Sequence, residues 1–125
     1  MVQREVDSGT PSEDIVLAGF SQGGVIALQL GLSHRQKLRG IMGLSTYLHD
    51  HERVAERADF ANVDTSIFLA HGLSDPMIPI TRAITSRETL LSLNYQVQWH
   101  EYAMGHQVCP QEIVDIAQWL NQIYR

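Results

Sequence analysis

Residues 15–30 constrain this chain more than any other stretch. They read Ile-Val-Leu-Ala-Gly-Phe-Ser-Gln-Gly-Gly, followed by Val-Ile-Ala-Leu-Gln-Leu. A short apolar, β-branched run meets Gly-x-Ser-x-Gly and passes at once into a sequence suited to a buried helix. Strand, sharp turn and helix in this order present the serine hydroxyl above the end of a sheet, on a strained backbone. Side chains two residues before and after Ser21 would collide, which accounts for Gly19 and Gly23. Gly24 would let the helix pack close to its neighbours. The helix start points free N–H groups and a positive dipole end toward Ser21. The N–H of Gln22 is well placed to donate to a developing oxyanion. Taken alone, the motif is also compatible with a Gly-rich turn and a solvated serine. A nucleophilic serine needs a base and an orienting acid elsewhere in the chain.

The remaining sequence alternates strand and helix. Met1 to Asp7 reads as the end of a helix, with Gly9 and Pro11 as its stop and turn. Ile15–Phe20 is apolar throughout, the pattern of a strand buried on both faces of a parallel sheet. A helix is expected from Gly23 to Ser33 and a second buried strand over Leu38–Ser45. Asp50–Asp59 is charged and suits a short exposed helix. Ser66–His71 is a third strand, Thr81–Leu93 an amphipathic helix and Tyr95–Tyr102 a fourth, alternating strand. Ala103–Cys109 is a loop, and Pro110 opens a last helix to Tyr124, at a position where its missing N–H costs little. The pattern predicts an α/β fold: an open parallel sheet flanked by helices on both faces, with functional groups at the carboxyl ends of the strands.

Three polar residues meet that expectation. Ser21 follows the first strand, Asp75 the third and His106 the fourth. A carboxylate at Asp75, in His-Gly-x-x-Asp, can accept from an imidazole and fix its tautomer. His106, in Met-Gly-His-Gln, can take the serine proton and return it to a leaving group. Serine, acid and histidine in this chain order are the order of α/β-hydrolases. His71 is expected to close its strand and pack beside the site. The run His49-Asp50-His51-Glu52 has no distant third ligand and reads as a solvated loop rather than a metal site. Cys109 reads as a packed thiol, and Trp99 and Trp119 as packing residues.

Composition narrows the function further. The chain has 125 residues, enough for one domain spanning 1–125 with a single core. A formal net charge of -5 with scattered basic residues points away from nucleic acid and anionic membranes as partners. The lone cysteine excludes an intrachain disulfide and is compatible with a reducing, cytoplasmic setting. No run is long enough to predict stable membrane insertion.

Four spaced motifs carry a family resemblance: Gly19-Phe20-Ser21-Gln22-Gly23-Gly24, Leu44-Ser45-Thr46-Tyr47-Leu48, Ala70-His71-Gly72-x-x-Asp75 and Tyr102-x-Met104-Gly105-His106. From about Gly9 to Leu120 the chain resembles the phospholipase/carboxylesterase family, which includes acyl-protein thioesterases and bacterial carboxylesterases. The resemblance implies an α/β-hydrolase fold and a serine carboxylesterase acting on carboxylic esters, lysophospholipids or acyl thioesters. It implies Ser21 as nucleophile, Asp75 as acid, His106 as base and Gln22 as one oxyanion donor. It implies no cofactor and no metal, a small ester or acyl-thioester as substrate, and a homodimer or other self-association. Members are longer, so the chain corresponds to the carboxyl-terminal portion of such an enzyme, a partial domain lacking the N-terminal strands. The first strands and a loop with the second oxyanion N–H would lie upstream, leaving Ile15–Phe20 as an unprotected edge. The alternative is a catalytically impaired fragment or assembly subunit lacking that second donor.

Overall fold

The computed structural model describes residues 10–125; the helix expected over Met1–Asp7 lies outside them. Four parallel strands form one sheet in the order β1 (Val16–Phe20), β2 (Gly40–Leu44), β3 (Ser66–Gly72) and β4 (Gln96–Tyr102). Helices α1 (Gln22–Ser33), α2 (Val54–Arg57), α3 (Ile80–Ser92) and α4 (Pro110–Ile123) lie in the connections and after β4. The register places Phe20 beside Leu44, Leu44 beside Ala70, and Gly72 beside Tyr102. The four strands therefore end close to one another, at one end of the sheet.

Both faces of the sheet are covered. Successive strand residues point to opposite faces. On one face Leu17, Ile41, Ile67 and Leu69 pack with Ala27, Leu28 and Leu32 of α1 and Leu90 of α3. On the other, Met42, Phe68 and Ala70 pack with Trp119, and Ile116, Leu120 and Ile123 of α4 line the same cluster. Trp119 is fully buried and donates its indole N–H to Ser66 Oγ at 2.8 Å. The inner strands β2 and β3 are buried on both sides, as their unbroken apolar runs require. The alternation of β4 has a different origin: it is an edge strand, and its side chains are half-buried or exposed.

Most predicted boundaries move by one or two residues. The larger difference is at 50–59, predicted as one short helix. It divides into a 3-10 turn, His51–Arg53, and a single turn of α-helix, α2. Val54 and, in part, Ala58 of that segment reach the core, too little apolar surface to hold a longer helix. His49, Asp50, His51 and Glu52 are all exposed, as expected of a solvated run.

Candidate active site

Ser21 sits between β1 and α1 with φ 57° and ψ -120°, outside both strand and helix geometry. For a residue with a Cβ this conformation costs of order 1–3 kcal/mol, and it persists only where the surroundings impose it. Those surroundings are visible. Ser21 N–H donates to Leu44 O at 2.8 Å, extending the β1–β2 ladder by one residue, while Ser21 O accepts the first helical bonds from Gly24 and Val25. A Cβ on Gly19 would stand 2.2 Å from the backbone carbon and oxygen of Gly23, so the turn closes only with glycine there. Gly23 differs from expectation: a Cβ there would meet nothing within 4 Å. The collision that shapes the turn is one-sided, between position 19 and the backbone of the helix start.

The structure brings Ser21, His106 and Asp75 together. His106 Nε2 lies 2.9 Å from Ser21 Oγ, and His106 Nδ1 lies 2.8 Å from Asp75 Oδ2. The residues are 85 and 31 positions apart, so the contacts are products of the fold. Asp75 is held by three hydrogen bonds, with a fourth polar group close by. Its Oδ1 accepts the N–H groups of Met77 (2.8 Å) and Ile78 (2.9 Å). Its Oδ2 accepts from His106 and lies 3.5 Å from His71 Nε2. The loops carrying Asp75 and His106 are tied to each other by Leu73 N–H to Tyr102 O and Ser74 N–H to Met104 O. The ring of Phe20 packs 4.9 Å from the His106 ring, centroid to centroid.

The electrostatics fix the protons. Burial pushes the Asp75 pKa up, but the hydrogen bonds from Ile78, His106 and Met77 and the charge of His106 outweigh it, and the carboxyl lies below its ordinary range. Asp75 is therefore an acceptor only, so the facing Nδ1 carries the proton of a neutral His106. That leaves Nε2 as a bare acceptor toward the Ser21 hydroxyl. His71 shows the same logic: its Nε2 is 2.8 Å from Ile78 O, a carbonyl, so Nε2–H donates there. Its expected place beside the site is correct, and it is fully buried.

The N–H of Gln22, at the first position of α1, makes no hydrogen bond among the described residues and sits next to Ser21. Four apolar side chains on the same turns and loops are exposed: Phe20, Leu73, Met77 and Val108. A cavity of about 260 Å³ lies elsewhere, between the carboxyl-terminal half of α1 and residues 48–58, lined in part by Leu32, Leu48 and Val54. None of Ser21, Asp75 or His106 lines it. Among the described residues no cluster of three or more His, Cys, Asp or Glu is arranged to hold a metal ion, and no helix is long and apolar enough to cross a membrane.

Two polar residues near this end of the sheet have no role evident from the sequence alone. Thr46 donates from Oγ1 to Ser21 O at 2.8 Å. Glu112, in the first turn of α4, is fully buried, with Oε1 accepting from Cys109 N–H and Oε2 unpartnered. An acid three residues past a helix start is the one signal that marks Glu112 in advance; Thr46 has none beyond its place in the second motif.

The family model for phospholipase/carboxylesterase matches residues 1–124. The chain belongs to the phospholipase/carboxylesterase family. Acyl-protein thioesterase 1 of Gibberella zeae is 40% identical over 125 residues, covering 98% of this chain and 53% of that protein. The protein of the same name from Yarrowia lipolytica is 36% identical, covering 98% and 55%. A solved phospholipase/carboxylesterase from Dyadobacter fermentans superposes with a TM-score of 0.81 at 28% identity, covering 99% of this chain and 59% of that one. SOBER1 of Arabidopsis thaliana superposes with a TM-score of 0.90 at 23% identity, covering 99% and 60%, a likeness of fold. The sheet and its flanking helices are thus those of an α/β-hydrolase. The chain spans about half the length of the thioesterase relatives it matches.

Proposed function

We propose that this chain carries the acyl-transfer chemistry of a serine carboxylesterase, with acyl thioesters and lysophospholipids as related substrates. The observation that carries the proposal is the continuous line of hydrogen bonds from Ser21 Oγ through His106 to Asp75. Ser21 Oγ attacks the ester carbonyl while its proton passes to His106 Nε2. Asp75 holds the ring and stabilises the imidazolium. The Gln22 N–H donates to the oxyanion. Collapse breaks the bond to the alcohol or thiol, which leaves with the proton from Nε2. Water then attacks the acyl-serine, giving its proton to Nε2, and the carboxylic acid departs as Ser21 is reprotonated. The steps call for no cofactor and no metal. The exposed Phe20, Leu73, Met77 and Val108 offer apolar contact to an acyl chain.

The test is hydrolysis of a p-nitrophenyl ester by wild type and Ser21→Ala, in preparations free of host esterases. Wild type is expected to turn over and Ser21→Ala to fall to background. Retention of most of the activity in Ser21→Ala removes Ser21 from its role.

One observation favours a second reading, a catalytically impaired fragment or assembly subunit. Strand β1 pairs only with β2 among the described residues, so none of them pairs with its other edge, the kind of edge that accepts a further strand.

A further inference from the structure

We propose that Thr46 is a positioning residue that aims the Gln22 N–H, an inference that rests on the role given to Gln22 above. The second sequence motif, Leu44 to Leu48, is otherwise without a function. Thr46 follows β2 and is 4% exposed. Its Oγ1–H donates to Ser21 O at 2.8 Å, across 25 residues of chain. The same carbonyl oxygen accepts from Gly24 N–H at 3.0 Å and Val25 N–H at 3.2 Å. A carbonyl has two lone pairs, so three donors leave it little freedom.

The consequence follows from peptide geometry. Ser21 C=O and Gln22 N–H belong to one planar trans peptide and point in opposite directions. Whatever fixes the carbonyl fixes the N–H. The two helical bonds pull the Ser21 carbonyl along α1, but the first turn of a helix frays readily. Thr46 approaches from β2, outside the helix, and ties that peptide to the sheet. Its packing matches the task. A Cβ on Gly24 would lie 2.7 Å from Thr46 Cβ, so the glycine makes room for the threonine against the helix start. Ser45, just before it, is buried with φ 51°, a strained conformation that carries the chain from β2 toward Ser21. Thr46 touches no reacting atom. It acts through the backbone of Ser21.

The decisive comparison is Thr46→Ala with Thr46→Ser, because both lose the methyl group and only one keeps the hydroxyl. Complete removal of an oxyanion donor costs about 10²–10³ in kcat, so a misaimed one is expected to cost about tenfold or more in Thr46→Ala. KM and the pH midpoint of kcat should stay at wild-type values, because His106 and Asp75 are untouched. Thr46→Ser should stay within about threefold of wild type in kcat. In parallel, the amide resonance of Gln22 in 15N-labelled protein should shift in Thr46→Ala and return toward wild type in Thr46→Ser. If Thr46→Ala does not fold, Thr46→Val, which keeps the branched shape without the donor, takes its place under the same criteria. Equal turnover and equal Gln22 resonances in the alanine and serine variants overturn the inference, as does a KM or pH-midpoint change that accounts for the loss. If wild type itself does not turn over, the esterase reading fails, and the Gln22 resonances alone decide whether Thr46 aims this peptide.

Discussion

Asp75→Asn is the substitution whose outcome the geometry determines most tightly. The side chain keeps its shape, and its position is set by two backbone donors. Met77 N–H and Ile78 N–H both point at one oxygen, Oδ1, at 2.8 and 2.9 Å. In the variant the amide oxygen must stay there. Turning the amide over would set an NH₂ group against two N–H donors and leave both without an acceptor, at about 1–3 kcal/mol each. The turned form is therefore disfavoured by about 2 kcal/mol or more, roughly 30-fold. In the favoured form the amide NH₂ replaces Oδ2 and faces His106 Nδ1, 2.8 Å away. An N–H donor there requires Nδ1 to be the bare nitrogen, so the ring proton moves to Nε2. Nε2–H then faces Ser21 Oγ and has no lone pair to accept its proton. A 30-fold loss in kcat is the floor, since the neutral amide also fails to stabilise the imidazolium. The same change in other Ser-His-Asp sites lowers kcat about 10⁴-fold, roughly 5 kcal/mol. The assay is ester hydrolysis under saturating substrate, with melting temperature measured beside it. KM and melting temperature should stay close to wild type, because the Met77 and Ile78 bonds survive. Asp75→Ala, which removes those bonds too, should lose both activity and stability. Asp75→Asn with more than a tenth of the wild-type kcat would refute the tautomer argument.

Two further outcomes follow from the structure. Burial raises the Glu112 pKa above its ordinary 4.5, and the charge of Asp115 adds to this against the Cys109 N–H bond. The folded state therefore holds this proton where the unfolded chain has lost it, and stability falls as pH rises from about 4.5 through the folded-state value. Glu112→Gln should remove that slope, melting above wild type at pH 8 and showing little gain at pH 4, by calorimetry; an equal difference at both pH values contradicts it. Among the described residues β1 has one unpaired edge and Phe20, Ile26 and Leu30 are exposed, which should favour self-association, so sedimentation should show a species larger than one chain as concentration rises. A well-folded monomer at high concentration argues against this.

The parts of this fold that were readable in the sequence are those set by local rules. Leu38–Ser45 and Ser66–His71 were recognisable as strands because both faces are buried and the apolar run is unbroken. Ser21, Asp75 and His106 were recognisable because each follows a strand, and a parallel sheet brings those ends together. What was not readable depends on tertiary contact. Nothing in Ser-Thr-Tyr indicates that the Thr46 hydroxyl meets a carbonyl at position 21. Glu112 resembles any acid in a first helical turn, and its burial comes only with the folded chain. The steric need for glycine lies at Gly19 and not at Gly23, because the collision depends on which side of the turn the helix backbone passes. Residues 50–59 have helical composition but only Val54 and part of Ala58 to set against the core, and they form single turns.

The proposed chemistry requires the Ser21 hydroxyl to be a nucleophile activated by His106. Reaction of the folded protein with a fluorophosphonate, followed by intact-mass and peptide-level mass spectrometry, tests it most directly. One adduct per chain is expected on Ser21, absent from Ser21→Ala and at least about 100-fold slower in His106→Ala. A folded protein that takes no adduct at Ser21, or one whose labelling rate is unchanged by loss of His106, would contradict it.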